Sequence, residues 1–150
     1  MSSKVRLEDV TARNWRAVAR LKLAPEQEHL VASNLYSIAQ WKFDRNAHPR
    51  AIYAADTPVG FLMYSVREAG DKTREASIYR FMIDREHQRK GYGRAALTLA
   101  LGEIKALPGI KTISIGYMPD NSVAKPFYAS FGFAEVGTDD DGEIIAELKL

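Results

Sequence analysis

Two glycines, Gly91 and Gly93, stand two residues apart in a basic run, "QRKGYGRAA". A segment with strand character, "EASIYRFMID", comes before them, and a helical one, "GRAALTLALGEIKAL", comes after. A glycine has no Cβ, so its backbone can approach a ligand closely. A loop feeding a helix turns several main-chain N–H groups toward one point, and the helix dipole adds attraction for an anion. Arg89, Lys90 and Arg94 add positive charge. The chemistry this arrangement serves is the holding of a phosphate or diphosphate. Spacing alone leaves a second reading open, a glycine-bearing helix start with solvated basic side chains.

A dinucleotide fingerprint is formally satisfied by Gly91, Gly93 and Ala96, but its context is wrong. That motif follows the first strand of its unit directly and has an acidic residue about 20 positions on. Here several elements precede it, residues 84–90 intervene, and "TISIGY" carries no acid.

The elements that must position the loop can be read from the rest of the chain. "KVRLEDV" predicts a first strand. Residues 14–41 predict two helices with a break near Ala24. The second opens with Pro25 at its first position and turns Leu30, Val31, Asn34, Leu35 and Ile38 inward. "RAIYAADTPVGFLMYSVRE" reads as a hairpin turning at Asp56–Pro58, and "GDKT" as the next turn. After the helix that follows the glycines, apolar on most of its surface and ended by Pro108 and Gly109, come a strand, "KTISIGYM", and a short helix, "NSVAKPFYASFGF". A last hairpin closes around Asp139–Gly142. Pro126 fits its helix only in the first turn, where no N–H is needed. The order is strand, two helices, three strands, helix, strand, helix, two strands. It predicts an α+β fold, one domain over residues 1–150, with a central mixed sheet flanked by helices.

Composition bounds the function. The chain has 150 residues, 46% hydrophobic and 27% charged, with a net charge of +2. That is ordinary globular composition, and it argues against a general nucleic-acid coat. There is no cysteine, which excludes disulfides, thiolate metal sites and a cysteine nucleophile, and fits a cytoplasmic location. The three histidines are scattered without an HExxH pairing, so no metal is expected. No run of about 18 apolar residues exists to span a membrane, and no leader is evident.

"YRFMIDREHQRKGYGRAALTLAL" resembles the acetyl-CoA-binding signature of the GNAT N-acetyltransferases, through Gln88, Gly91 and Gly93 in the pattern Q/R-x-x-G-x-G/A. "NSVAKPFYASFGF" is similar to a second segment of that family, through Asn121, Ala124, Tyr128, Gly132 and Phe133. The resemblance covers nearly the whole chain in element order and implies the GNAT acyl-CoA N-acyltransferase fold, with a mostly antiparallel sheet. It implies that main-chain N–H groups of Arg89, Lys90, Gly91, Tyr92, Gly93 and Arg94 hold the diphosphate of acetyl-CoA. The pantetheine arm would pair with the strand at Phe81, Met82 and Ile83, which splays from "TISIGY". Asn121 and Lys125 would lie near that arm or its phosphates. Tyr128 would be the general acid for the departing thiolate, although spacing alone reads it as a core tyrosine beside Phe127 and Phe131. The oxyanion donor would be a main-chain N–H near Met82 or Ile83.

With no cysteine, transfer would be a direct attack by the amine in a ternary complex. Glu75 or Glu28 could serve as base through water, and both could equally be solvated surface charges. For the acceptor, "EQEHLVASNLYS" resembles the branch that includes bacterial diamine and spermine/spermidine acetyltransferases, through Gln27, Asn34 and Ser37. The resemblance places Gln27, Glu28, Asn34, Tyr36, Trp41 and Tyr79 near the acceptor. Polyamine acetyltransferases often have an acid where Tyr79 stands. Cation–π contact with Tyr79, Tyr36 or Trp41 could stand in for it in part. The expected reaction is acetyl transfer from acetyl-CoA to a primary amine, a small di- or polyamine. A protein or peptide acceptor and a non-catalytic acyl-CoA sensor are the alternatives. Many relatives are dimers, so the resemblance also implies a homodimer.

Overall fold

The computed structural model describes residues 4–150. Seven strands and four α-helices follow one another as β1 (Val5–Asp9), α1 (Trp15–Arg20), a 3-10 helix (Pro25–Leu30), α2 (Asn34–Trp41), β2 (Ala47–Ala54), β3 (Thr57–Gly70) and β4 (Thr73–Ile83). A 3-10 turn (Arg85–His87) leads to α3 (Tyr92–Lys105), β5 (Ile110–Tyr117), α4 (Ala124–Ala129), β6 (Ala134–Thr138) and β7 (Ile144–Lys149). All seven strands form one sheet in the order β1-β2-β3-β4-β5-β7-β6. Only β4 and β5 run parallel, with α3 as the crossover between them.

The sheet buries both faces. On one, Ala96, Leu97, Ala100, Leu101 and Ile104 of α3 pack on Leu62, Ile78, Ile113 and Ile115. On the other, Val18 of α1 and partly buried Ile38 of α2 pack on Phe61, Met63 and Met82. The expected well-buried α3 is therefore buried along one face only, with Arg94, Thr98, Lys105 and also Leu99, 42% exposed, on the other.

Three local expectations change. The helix expected over 25–41 is two pieces, because Val31 is extended and the Ser33 hydroxyl accepts from Tyr36 N–H at 3.1 Å, capping a new helix. Leu35 then faces out, and Ser37, fully buried, takes the inward position. The first hairpin turns at Ala55–Asp56, which leaves Pro58 inside β3 beside a register shift. Pro126 does fall in the first turn of α4, where its missing N–H costs nothing.

Two features of β4 open the functional region. Its pairing with β3 skips Tyr79, Met63 standing opposite Arg80 and Tyr64 opposite Ile78. This bulge shifts the alternation, so that Tyr79 and Arg80 both lie on the α1/α2 face. The ladder between β4 and β5 then ends at Ile78–Ile115. Beyond that point the two strands part, and a slot passes between them.

Candidate active site

The glycine loop is built at the head of the slot. Asp84, buried at the end of β4, accepts from Lys22 N–H (2.8 Å) and Glu86 N–H (3.2 Å). Arg85 N–H returns a bond to Lys22 O at 2.8 Å. Gln88 donates to Ile83 O and to Gln27 Oε1, each at 3.0 Å, so its amide ties the loop to the strand and to the 3-10 helix. The backbone then turns through two left-handed residues, Arg89 (φ 63°) and Gly91 (φ 82°), before α3 begins.

The N–H groups of Gly91, Tyr92, Gly93 and Arg94 find no acceptor among the described residues, and they point off the start of a 14-residue helix. Arg94 is drawn aside. It donates to Ser130 Oγ at 2.7 Å and lies 4.7 Å over the Phe131 ring. Arg89 stands on the cavity wall, whereas Lys90 is exposed outside it.

A Cβ added at Gly93 would meet nothing in the protein closer than 3.8 Å, so internal packing does not demand glycine. The space is left for something that approaches the backbone, which fits a diphosphate. Gly93→Ala is therefore expected to fold with an unchanged or higher unfolding temperature, since alanine favours a helix by up to about 1 kcal/mol. Its affinity for acetyl-CoA should drop about tenfold, the loss of a close backbone contact to a phosphate. Titration calorimetry reads both wild type and variant, and equal affinities would remove this reason for the glycine.

The slot continues as a cavity of about 590 Å³. Phe81, Met82 and Ile83 of β4 form one wall, and Asn121, Phe127 and Tyr128 form the other. The Tyr128 ring is clamped on three sides, stacked on Tyr117 at 5.7 Å and edge-on to Phe127 (5.2 Å) and Phe133 (6.0 Å). Its hydroxyl has no hydrogen-bond partner among the described residues, while that of Tyr117 is engaged by Glu135 at 2.7 Å. Burial, with a smaller contribution from Tyr117, pushes the Tyr128 phenol well above its ordinary range, so it keeps its proton at neutral pH.

The far end of the cavity lies on the α1/α2 face and was not legible from the sequence. Glu143, at the start of β7, reaches Gly116 so closely that a Cβ there would meet its Oε2 at 2.6 Å. Arg80 faces the same space, held by Ser37 Oγ, Gln40 Oε1 and Tyr79 O, each at 3.0 Å. The Glu143 carboxyl is raised above the ordinary carboxylate range by burial and by Asp139, against a lowering contribution from Arg80 and a further raising one from Asp141. His29 and Asp120 meet at 2.6 Å and join the 3-10 helix to the segment between β5 and α4.

The remaining expected residues divide. Gln27 and Tyr79 line the cavity. The Tyr79 ring face offered to a cation is covered by the Arg80 guanidinium at 5.1 Å. Asn34 is away from the wall. It is 3% exposed, donates to Val18 O at 2.9 Å and holds α2 against α1. Glu28 and Tyr36 face solvent. Trp41 lines a separate cavity of about 550 Å³ with Arg50, Tyr64 and Glu103. Lys125 lies outside and pairs with Glu135 at 3.7 Å. Glu75 stands on a third cavity, considered below. No group of three or more His, Asp or Glu among the described residues could hold a metal ion, and no helix among them is long and apolar enough to cross a membrane.

Residues 12–133 match the model of the acetyltransferase (GNAT) family. The chain is 27% identical to the spermine/spermidine N(1)-acetyltransferase of Bacillus subtilis (strain 168), covering 97% of this chain and 99% of that protein. Among solved structures it superposes on an acetyltransferase from Thermus thermophilus with a TM-score of 0.80 at 20% identity over 100% of both chains. The PaiA N-acetyltransferase from Thermoplasma acidophilum in complex with coenzyme A gives 0.71 at 20% identity, over 98% of this chain and 99% of that one.

Proposed function

This chain belongs to the GNAT family and is an acetyl-CoA-dependent N-acetyltransferase, and from that premise we propose that its acceptor is the primary amine of a small di- or polyamine. The observation that carries the reading is the disposition of the slot. It passes through the sheet with a free phenol, Tyr128, on the α3/α4 side and a carboxylate, Glu143, on the α1/α2 side. An amine arriving from the second side meets a proton acceptor, and a thiolate leaving on the first meets a proton donor. The whole-length likeness to a spermine/spermidine acetyltransferase supports the amine class.

The roles we assign follow from this disposition. The free N–H groups from Gly91 to Arg94 hold the diphosphate, with Arg89 and Lys90 adding charge and Gln88 fixing the loop. The open edge of β4 at Phe81–Ile83 offers strand-like pairing to the pantetheine arm, with Asn121 opposite. When bound, acetyl-CoA supplies the thioester carbonyl to that edge, whose main-chain N–H groups near Met82 receive the developing oxyanion. Glu143 takes the proton of the arriving ammonium and frees its lone pair for attack. As the C–N bond forms and the C–S bond breaks, the Tyr128 hydroxyl gives its proton to sulfur, and the second proton of the acylated nitrogen passes through water to the Tyr128 phenolate, which restores the phenol. Glu143 then gives its proton to solvent.

The test is release of thiol from acetyl-CoA against putrescine, spermidine, spermine, amino acids, an aminoglycoside and a lysine peptide. The chain has no cysteine, so all new thiol is coenzyme A. Turnover is expected with the di- and polyamines. Turnover confined to the peptide would replace the small-molecule acceptor with a protein one.

A further inference from the structure

A second polar cavity, of about 380 Å³, lies on the α1/α2 face of the sheet and shares Tyr79 with the acceptor end of the slot. Its floor is set by register. Ser65 of β3 stands opposite Ser77 of β4, and Ser77 opposite Ser114 of β5, so three serines form a row across three strands. Their chain neighbours Tyr64, Val66, Ala76, Ile78, Ile113 and Ile115 all belong to the core beneath α3. The serines therefore point to the other face, where Phe61 and Met63 would lead one to expect more apolar side chains. Ser65 is only 5% exposed. Hydroxyls placed there cost free energy unless something hydrogen-bonds to them.

The row continues the line of the slot. Gly116, beside Glu143, is two residues from Ser114, and Glu75 is two residues beyond Ser77. Glu75 pairs with Thr112, four residues of strand from Gly116 and so about 13 Å along the sheet, the order of separation between the outer nitrogens of a triamine such as spermidine, whereas a diamine with three or four methylenes spans only about half of it. Glu75 on β4 and Asp44 after α2 supply two carboxylates, neither in an ion pair within 4.0 Å among the described residues, and Asp44 accepts from Asn46 N–H at 3.0 Å. Between the two cavities the Tyr79 hydroxyl is buried, with the Asp44 carboxylate beside it. Arg67, opposite Glu75, also lines the groove and is exposed, as Glu75 is, and Arg80 is kept on the α2 wall by Ser37 and Gln40.

We infer that this groove is the distal subsite of the acceptor, in which Glu75, Asp44 and the serine row take a second ammonium while the first is acetylated beside Glu143. An ammonium brings three donors and no acceptor, and the groove offers carboxylate and hydroxyl oxygens. The inference rests on the amine reading above and assigns Glu75 to substrate selection and not to proton transfer.

It is tested by the ratio of kcat/KM for spermidine and spermine over that for a monoamine, in Glu75→Gln and separately in Asp44→Asn. Each variant should lower the ratio about tenfold, mainly through KM of the polyamine, as the loss of one charge-assisted contact requires. Glu75→Asp, which keeps the charge, should restore most of it. If polyamines are acetylated and the ratio does not move in either variant, the groove is not the subsite, and the amine reading stands. If no amine of the set is acetylated, the amine reading fails and takes the groove with it.

Discussion

Tyr128→Phe should lower kcat about a hundredfold, the low end of what a positioned general acid contributes, and leave the affinity for acetyl-CoA within about twofold. The two halves of this expectation come from different atoms. The ring does the packing, between Tyr117, Phe127 and Phe133, and phenylalanine keeps all three contacts. The hydroxyl has no partner among the described residues, so removing it strands no donor or acceptor there and should barely change the unfolding temperature. What disappears is a free phenolic O–H on the wall of the slot beside Asn121 and Phe127. Tyr117, stacked against it, is the control. Its hydroxyl is bound to Glu135, and burial with that carboxylate pushes it up to about 12, so Tyr117→Phe should cost far less turnover. Steady-state kinetics with a binding titration separate the cases. A Tyr128→Phe enzyme that turns over at the wild-type rate would falsify the acid assignment and return Tyr128 to a packing role.

The contrast between these tyrosines shows what kind of information a sequence carries. The cradle was legible because its signals are local. A glycine at a left-handed turn, a helix start and a basic run lie within ten residues of one another, and Pro126 announced the first turn of α4 in the same way. Tyr128 was nameable through its family pattern, whereas its spacing alone was compatible with an aromatic core. The acceptor end was not legible, because every residue in it is placed by long-range pairing. Glu143 reaches the slot only because β7 inserts beside β5 and sets Tyr117 opposite Ile144. Arg80 faces α2 only because a bulge at Tyr79 breaks the alternation that would otherwise turn it toward α3. Asn34 looked like a pocket residue by its likeness to the polyamine branch. The carbonyl of Val18, sixteen residues away, claims its amide instead. Ser33 likewise hides a helix start inside a run whose apolar spacing reads as continuous.

Glu143→Gln should separate activity from stability in opposite directions. In the folded chain the carboxyl is raised above the ordinary value near 4.3 by burial and by Asp139, so folding disfavours its charged form. The folded state then holds the proton more tightly than the unfolded chain. The penalty is present at neutral pH and is relieved as pH falls through the raised value. Glutamine carries no such penalty, and the variant should be as stable as wild type or more so at pH 7. Activity should move the other way. A base must be ionised to accept the ammonium proton, so wild-type kcat/KM should fall on the acid side with an apparent pKa above the ordinary carboxylate range. In the variant kcat should drop about a hundredfold, and that acid limb should vanish. The groups facing the carboxyl are Arg80 from β4 and Asp139 and Asp141 from its own hairpin. Arg80→Gln should therefore shift the same limb to higher pH, because it removes the one contribution that lowers the carboxyl. A pH–rate profile of the three enzymes decides the matter. An acid limb that persists unchanged in Glu143→Gln would mean that the proton leaves by another route, and that Glu143 only shapes the entrance through which the amine arrives.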